Sequence, residues 1–245
     1  MKFIDSQIFT NLCIGQDSVE DMVRSAKDLG YSGVVVNCNY NVNSDIRGFL
    51  DKLNAIKVDD MEIVAGVTID AKDVIELKGL ISKVREQVEL VIVRGGRYAV
   101  NRGACEDSRV DILMNPHAGR IDNGLDEACL GLAKKNNVAI GISFRPILKT
   151  YRRQRAQMLQ NVATNLKLCR ELGVKIIGCS GAQNKWELRD ARQMIAVADS
   201  FGLDLGKGFS ALTTTPIEIL QKNKKILAGE QVRGAEMVIG GNENV

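Results

Sequence analysis

Two apolar runs separated by one helix length constrain this chain more than anything else in it. Residues 110–114 and 138–144 each read as a buried parallel strand. Between them, residues 125–136 carry Leu125, Cys129, Leu132 and Ala133 at helical spacing. Asn115, Pro116 and His117 stop the first strand, and Gly119 and Asn123-Gly124 are further breakers. Strand, crossover helix and strand make a βαβ unit, and its crossover must be right-handed to pack back on the sheet.

The alternation runs the length of the chain. Residues 2–9, 33–37, 61–69, 88–93 and 175–179 read as further strands, and a weak eighth near 207–212 contains glycines. Helical patterns fall between them: after Asp17 or Ser18 to Leu29, from Ser44 to Lys57, from Asp70 or Lys72 to Val84, 149–172, 189–201 and, behind Pro216, 217–225. Eight strands alternating with helices in 245 residues predict a single-domain α/β fold over residues 1–245, a (β/α)8 TIM-barrel-like chain. An open doubly wound sheet is the alternative. Residues 228–245 are Gly- and Asn-rich at their end and are expected to fray. Six cysteines without a C-x-x-C pair read as reduced core thiols. With no run of eighteen apolar residues and no signal peptide, the chain is expected to be cytoplasmic, with no membrane partner.

In folds of this class ligands meet the loops at the carboxyl ends of the strands. Those loops hold most of the candidate residues. The net charge of +3 is modest, but residues 1–62 hold ten acids against six bases, while 128–170 hold nine bases and no acid. A basic region of this kind is the footprint of a polyanion, or else a solvated face whose acids come from elsewhere. Arg152, Arg153 and Arg155, with Lys149, crowd the start of a predicted helix, where cations oppose the helix dipole and phosphate is welcome. Arg145 follows the sixth strand. Arg94-Gly-Gly-Arg97 follows the fourth, where glycine N–H groups and guanidinium groups suit an anion as well as they suit a plain turn.

His117 is the sole histidine, placed just after a strand beside Pro116. A general base, a metal ligand, an RNA donor and a loop-holding residue are all open to it. Asp5, Asp111 and Asp122 could join it around Mg²⁺, but no spacing supports that, and the chain cannot supply an imidazole cluster. Trp186 could stack on a base; with 4% aromatic residues, packing in the core or at an interface is the preferred reading. Lys207, between two glycines, suits a phosphate turn or a simple loop.

The run PHAGRIDNGLDEACLGLAKKNNVAIGISFRPIL, followed by YRRQR, IIGCSGAQNKWELRDARQM and TTTPIEIL, resembles archaeal ribonuclease P protein component 3, relatives of the eukaryotic thirty-kilodalton subunit. The resemblance is strong over the C-terminal half and only patterned over the first hundred residues. It implies an accessory subunit of the endoribonuclease that removes the 5′ leader from precursor tRNA. The expected partners are then the ribonuclease P RNA, component 2, the other ribonuclease P proteins and, indirectly, the precursor tRNA. The catalytic centre and its Mg²⁺ would belong to the RNA, with no cofactor and no catalytic residue on this chain. Arg94, Arg97, His117, Arg120, Arg145, Arg152, Arg153 and Arg189 are the candidate RNA-binding residues. His117, Arg120, Arg145 and Arg189 lie inside the matching motifs. A stand-alone metal-dependent phosphoesterase of barrel fold, and a scaffold that contacts mainly protein, are the other readings.

Overall fold

A computed structural model describes residues 2–231. Strands β1 (Ile4–Ile8), β2 (Gly33–Tyr40), β3 (Glu62–Ile69) and β4 (Leu90–Arg94) alternate with helices α1 (Val19–Asp28), α2 (Ile46–Asn54) and α3 (Val74–Val84). Helix α4 (Tyr98–Glu106) leads to β5 (Ile112–Met114), α5 (Glu127–Lys135) and β6 (Ala139–Ser143). The short α6 (Arg145–Lys149), the long α7 (Arg152–Leu172) and β7 (Ile176–Cys179) follow. Three helices end the described chain: α8 (Ala191–Ser200), α9 (Leu205–Leu212) and α10 (Thr214–Leu227). Short polar side chains start most of the helices. Ser18, Asp45, Asp73, Asp126, Asp190 and Asp204 each accept a backbone N–H of the first turn.

All strand pairings are parallel, in the order β1 to β7. The sheet curls until β1 meets the segment after β7: Phe9 N donates to Ala182 O at 2.8 Å and Gly181 N to Gln7 O at 2.9 Å. The result is a TIM-barrel-like fold of seven strands. The expected eighth strand is instead helix α9. Asp204 caps it, and its buried Gly208, Ala211 and Leu212 fall at helical spacing, not in alternation. The helix lies against both β7 and β1. Phe209 stacks on Phe3 with ring centroids 6.1 Å apart, and a Cβ on Gly178 of β7 would sit 3.3 Å from Leu212. Helix α9 therefore covers the seam that an eighth strand would have closed.

Two apolar layers result from strand alternation. Outward-facing residues such as Val34, Val36, Val91, Val93 and Leu113 pack under the helices. Inward-facing Ile4, Val35, Val64, Ile92, Ile112, Ala139 and Ile177 fill the barrel, and Ile219 and Leu220 of α10 plug its amino-terminal end. Toward the carboxyl end the interior turns polar. Gln7 Nε2 donates to Thr68 Oγ1 at 2.9 Å, and Thr68 Oγ1 to Asn37 Oδ1 at 3.2 Å.

Boundary shifts are small, with three informative cases. Helix α4 lies in a stretch for which no helix is predicted. The predicted helix over 149–172 is broken at Thr150 and Tyr151, because Thr150 closes α6 by donating its Oγ1 to Pro146 O at 2.9 Å. Pro216 lies inside the first turn of α10, which begins at Thr214. The predicted tail lies outside the described residues from 232 onward. No described helix is long and apolar enough to cross a membrane. The described cysteines are all free.

Asp5 sits fully buried in β1, accepting Ser180 N at 3.0 Å and Gln7 N at 3.2 Å. Burial raises its pKa from 3.8 to about 6. A carboxyl whose folded pKa is raised favours folding below its unfolded pKa, and that contribution is lost as pH climbs through about 6. Asp5→Asn should therefore gain roughly 2–2.5 kcal/mol relative to the parent between pH 4 and pH 7. Paired thermal melts at the two pH values check this; a constant offset would show that Asp5 does not titrate in that window.

Candidate nucleic-acid interface

The loops at the carboxyl ends of β4 and β5 are held together by buried amides. Asn101 of α4 is fully buried. Its Oδ1 accepts Gly96 N at 3.0 Å, and its Nδ2 donates to Pro116 O at 2.9 Å and Gly124 O at 2.8 Å. One side chain thus joins the loop after β4 to both ends of the loop after β5. Glycines permit the approach: a Cβ on Gly124 would lie 2.1 Å from Pro116 O, and one on Gly95 2.5 Å from Pro116 Cα. Gly124 has φ +74 and Gly96 φ +130.

This changes the reading of Arg94-Gly-Gly-Arg97. Gly95 N donates to Met114 O and Gly96 N to Asn101, so neither N–H is free to cradle an anion. The glycines serve loop packing. The arginines remain half-exposed or more, gathered on Asp70: Arg94 Nη1 lies 3.7 Å and Arg97 Nη1 3.5 Å from its carboxylate.

Helix α7 supports the same loop from its other side with a ladder of amides at i, i+4 and i+8. Gln157 Nε2 donates to Ile121 O at 2.9 Å, Asn161 Nδ2 to Asp122 O at 2.8 Å, and Asn165 Nδ2 to Asn123 O at 3.0 Å. Asn123 returns a bond to Asn165 Oδ1 at 2.9 Å. Arg120 completes the loop, pairing with Asp122 and donating to Gly96 O at 3.1 Å. Asp122 orders this turn.

His117 lies under the loop with 5% of its surface exposed. Burial lowers its pKa to about 4, so it is neutral near pH 7. Its backbone O accepts Arg120 N at 3.1 Å. That position suits holding the loop, the alternative left open by sequence, better than touching a macromolecule. Asp111 lies at the opposite end of the barrel, ion-paired with Arg85, so the three acids do not converge on His117. Among the described residues no three His, Cys, Asp or Glu side chains are grouped to hold a metal ion. The mouth of the barrel, lined by residues such as Thr68, Asn115, Ser143 and Arg145, encloses a cavity of only ≈ 170 Å³. Small-molecule sites usually need about 300 Å³ or more.

The basic residues gather on the rim after β6 and β7. Arg145 Nε and Lys149 Nζ each lie 2.7 Å from the buried Glu187 carboxylate. Burial would raise the pKa of Glu187, but Lys149, the Gln183 N–H and Arg145 together hold it below the usual carboxylate value. Glu187 thereby docks α6 onto the loop after β7. Arg189 donates to Trp186 O and Leu188 O and lies over the Phe144 ring at 5.8 Å. Arg152 and Arg153 are exposed and have no ion pair or side-chain hydrogen bond among the described residues. Arg155 is half-buried, donating to Thr150 O at 2.7 Å. Helix α7 starts without a side-chain cap and with no acid in its first turn. Lys207 is outside this group: it lies in α9, its N–H bound to Asp204. Trp186 is not packed in the core; it is 79% exposed.

Of the eight predicted residues, Arg152 and Arg153 are free cations. Arg94, Arg97, Arg120, Arg145 and Arg189 are rim cations with partners in the chain, and His117 is beneath them. Sequence reading missed Asn101, Glu187 and the Gln157–Asn161–Asn165 ladder. Only the ladder left a signal, as amides every fourth residue inside a buried helical stripe.

Comparison with known proteins gives consistent results. Residues 3–226 match the family model described as RNase P subunit p30. Ribonuclease P protein component 3 of Methanosarcina mazei is 33% identical over 226 residues, covering 88% of this chain and 90% of that protein. Among solved structures, a chain of an archaeal ribonuclease P with mature tRNA matches with TM-score 0.78 at 23% identity, over 98% of this chain and 100% of that one. Histidinol phosphate phosphatase of Lactococcus lactis, solved with zinc, L-histidinol and phosphate, matches with TM-score 0.60 at 11% identity, over 83% of this chain and 95% of that one. At these identities the two structures speak for the fold alone.

Proposed function

This chain belongs to the RNase P subunit p30 family, and from that premise we propose that it is a protein subunit of ribonuclease P whose strand-end rim binds and orders the catalytic RNA. The holoenzyme is an endoribonuclease that removes the 5′ leader of precursor tRNA. The chain's share is positional: catalysis and its Mg²⁺ reside in the RNA, and the chain supplies cations on a rigid scaffold. Component 2 and the other ribonuclease P proteins are its protein partners in a cytoplasmic particle, and precursor tRNA is reached indirectly.

The observation that carries this reading is the basic rim from Arg145 to Arg155. No acid occurs between residues 128 and 170 to neutralise it. Glu187, the acid that does reach it, is buried and occupied by Arg145 and Lys149. Exposed arginines at a helix start carry no benefit for the fold, since they oppose the dipole. They do suit phosphate, which the free N–H groups of that turn also attract. Arg94, Arg97, Arg120 and Arg189 extend the basic rim, while His117 supports it from below.

Replacing Arg152 and Arg153 together by glutamine tests the rim. Each phosphate that is no longer neutralised takes about 0.7–0.9 off the slope of log affinity against log salt, so the double variant should flatten the slope by roughly 1.5. Filter binding to ribonuclease P RNA across a salt series reads this. A parental slope and affinity in the double variant would place the RNA elsewhere.

A further inference from the structure

We propose that Trp186 and Tyr151 form a stacking platform for unpaired nucleotides of the bound RNA, a proposal that rests on the RNA-binding reading above. Large aromatic side chains are normally buried, yet Trp186 is 79% exposed and Tyr151 69% exposed. Each has a cation beside its ring: Lys185 Nζ lies 5.4 Å from the Trp186 centroid and the Arg155 guanidinium 5.7 Å from that of Tyr151. The two rings belong to neighbouring loops joined by one ion cluster. Arg145 and Lys149, at the two ends of the short helix α6 that precedes Tyr151, both bind Glu187, which immediately follows Trp186. The loop bearing Trp186 is fixed at several points. Gln183 N donates to Glu187, Lys185 N to Asp17, and Arg189 Nη1 to Trp186 O. A rigid loop presents the indole to solvent at little further entropic cost.

The chemistry around the rings selects the occupant. Lys149, Arg152, Arg153 and Lys185 are exposed cations flanking the aromatics. Between residues 180 and 189 the sole acid is Glu187, and it is buried; nearby Asp17 accepts the Lys185 N–H and Asp190 is engaged in capping α8. Flat π-faces set among cations match a single-stranded polyanion, whose bases stack while its phosphates follow the basic groups. Paired RNA offers its bases no such access, so the platform distinguishes unpaired from helical segments. A protein partner of ribonuclease P would need complementary acids at the same place and is the competing occupant.

Trp186 is the sole tryptophan of the chain, so its own emission reports the contact. The full chain is titrated at low salt with a ten-nucleotide single-stranded RNA and, separately, with a blunt duplex of the same length. Filter binding is run in parallel. The expected result is strong quenching by the single strand and little by the duplex. W186A should weaken single-strand binding about tenfold, with W186F restoring most of it and Y151A weakening it less. RNA retained on the filter with unchanged emission, and parental affinity in W186A, would overturn the platform while leaving the RNA-binding reading intact. Emission that responds only to the protein subunits of the particle would overturn it in favour of a protein contact. No RNA retained at all would remove the RNA-binding reading and the platform together.

Discussion

Asn101→Ala should lower the unfolding free energy by about 3–5 kcal/mol, one of the two largest single-residue effects expected in this protein. The side chain is fully buried and satisfies one N–H and two carbonyls from two different loops. Removing it strands three buried polar groups, each costing about 1–3 kcal/mol unless water replaces the amide. For a chain of this length each kcal/mol shifts the melting temperature by about 2–4 °C, so a drop near 10 °C is expected. The loss should extend to RNA binding, because Gly96, Pro116 and Gly124 anchor the loops that carry Arg97 and Arg120. Denaturant unfolding measures the first effect. A variant within about 0.5 kcal/mol of the parent would show that the loops are held by something other than this amide.

Arg85→Met should cost a similar amount, about 3–5 kcal/mol, and for a different reason. Arg85 and Asp111 are 4% and 7% exposed at the amino-terminal end of the barrel. The guanidinium pairs with Asp111 and donates to the carbonyls of Arg109 at 3.2 Å, Val88 at 2.9 Å and Glu89 at 3.3 Å. Asp111 also accepts Val91 N at 2.8 Å and Asn223 Nδ2 at 2.9 Å, which ties α10 across the barrel floor. Removing the cation leaves a buried carboxylate without its counter-charge. Exposed pairs give the contrast: Lys27, partly exposed, lies 3.4 Å from the largely solvent-exposed Asp60, and Lys27→Ala should cost under about 1 kcal/mol. Unfolding midpoints of the two variants compare them directly. RNA binding by folded Arg85→Met should be unchanged, since the rim lies at the other end of the barrel.

Much of the fold was legible because its strands are buried on both faces. Continuous runs such as Gly33 to Asn37 and residues 138–144 leave few other readings. Helix α4 escaped because Asn101, Arg102 and Gly103 give its middle the look of a loop, although Val100, Ala104 and Cys105 supply a buried helical face. The false eighth strand arose from a short stretch holding two glycines, where period alone separates helix from strand poorly. In the site, cations were readable as residue types and positions but not as pairs. Arg94 and Arg97 meet Asp70, and Arg145 meets Glu187 forty-two residues away, pairings created by the side-by-side placement of β3 with β4 and of β6 with β7. Of the readings open to Trp186, its exposure removes core packing and leaves contact with a base or at an interface. Low aromatic content says nothing about where one particular indole points.

The most direct measurement is reconstitution by omission. Ribonuclease P RNA is assembled with its protein subunits, with and without this chain, and 5′-leader cleavage of a precursor tRNA is scored at moderate Mg²⁺. A large loss of cleavage on omission, with no cleavage by the chain alone, is the result expected of a subunit that orders the RNA. Undiminished cleavage without it, or cleavage by the purified chain in the absence of RNA, would contradict that role.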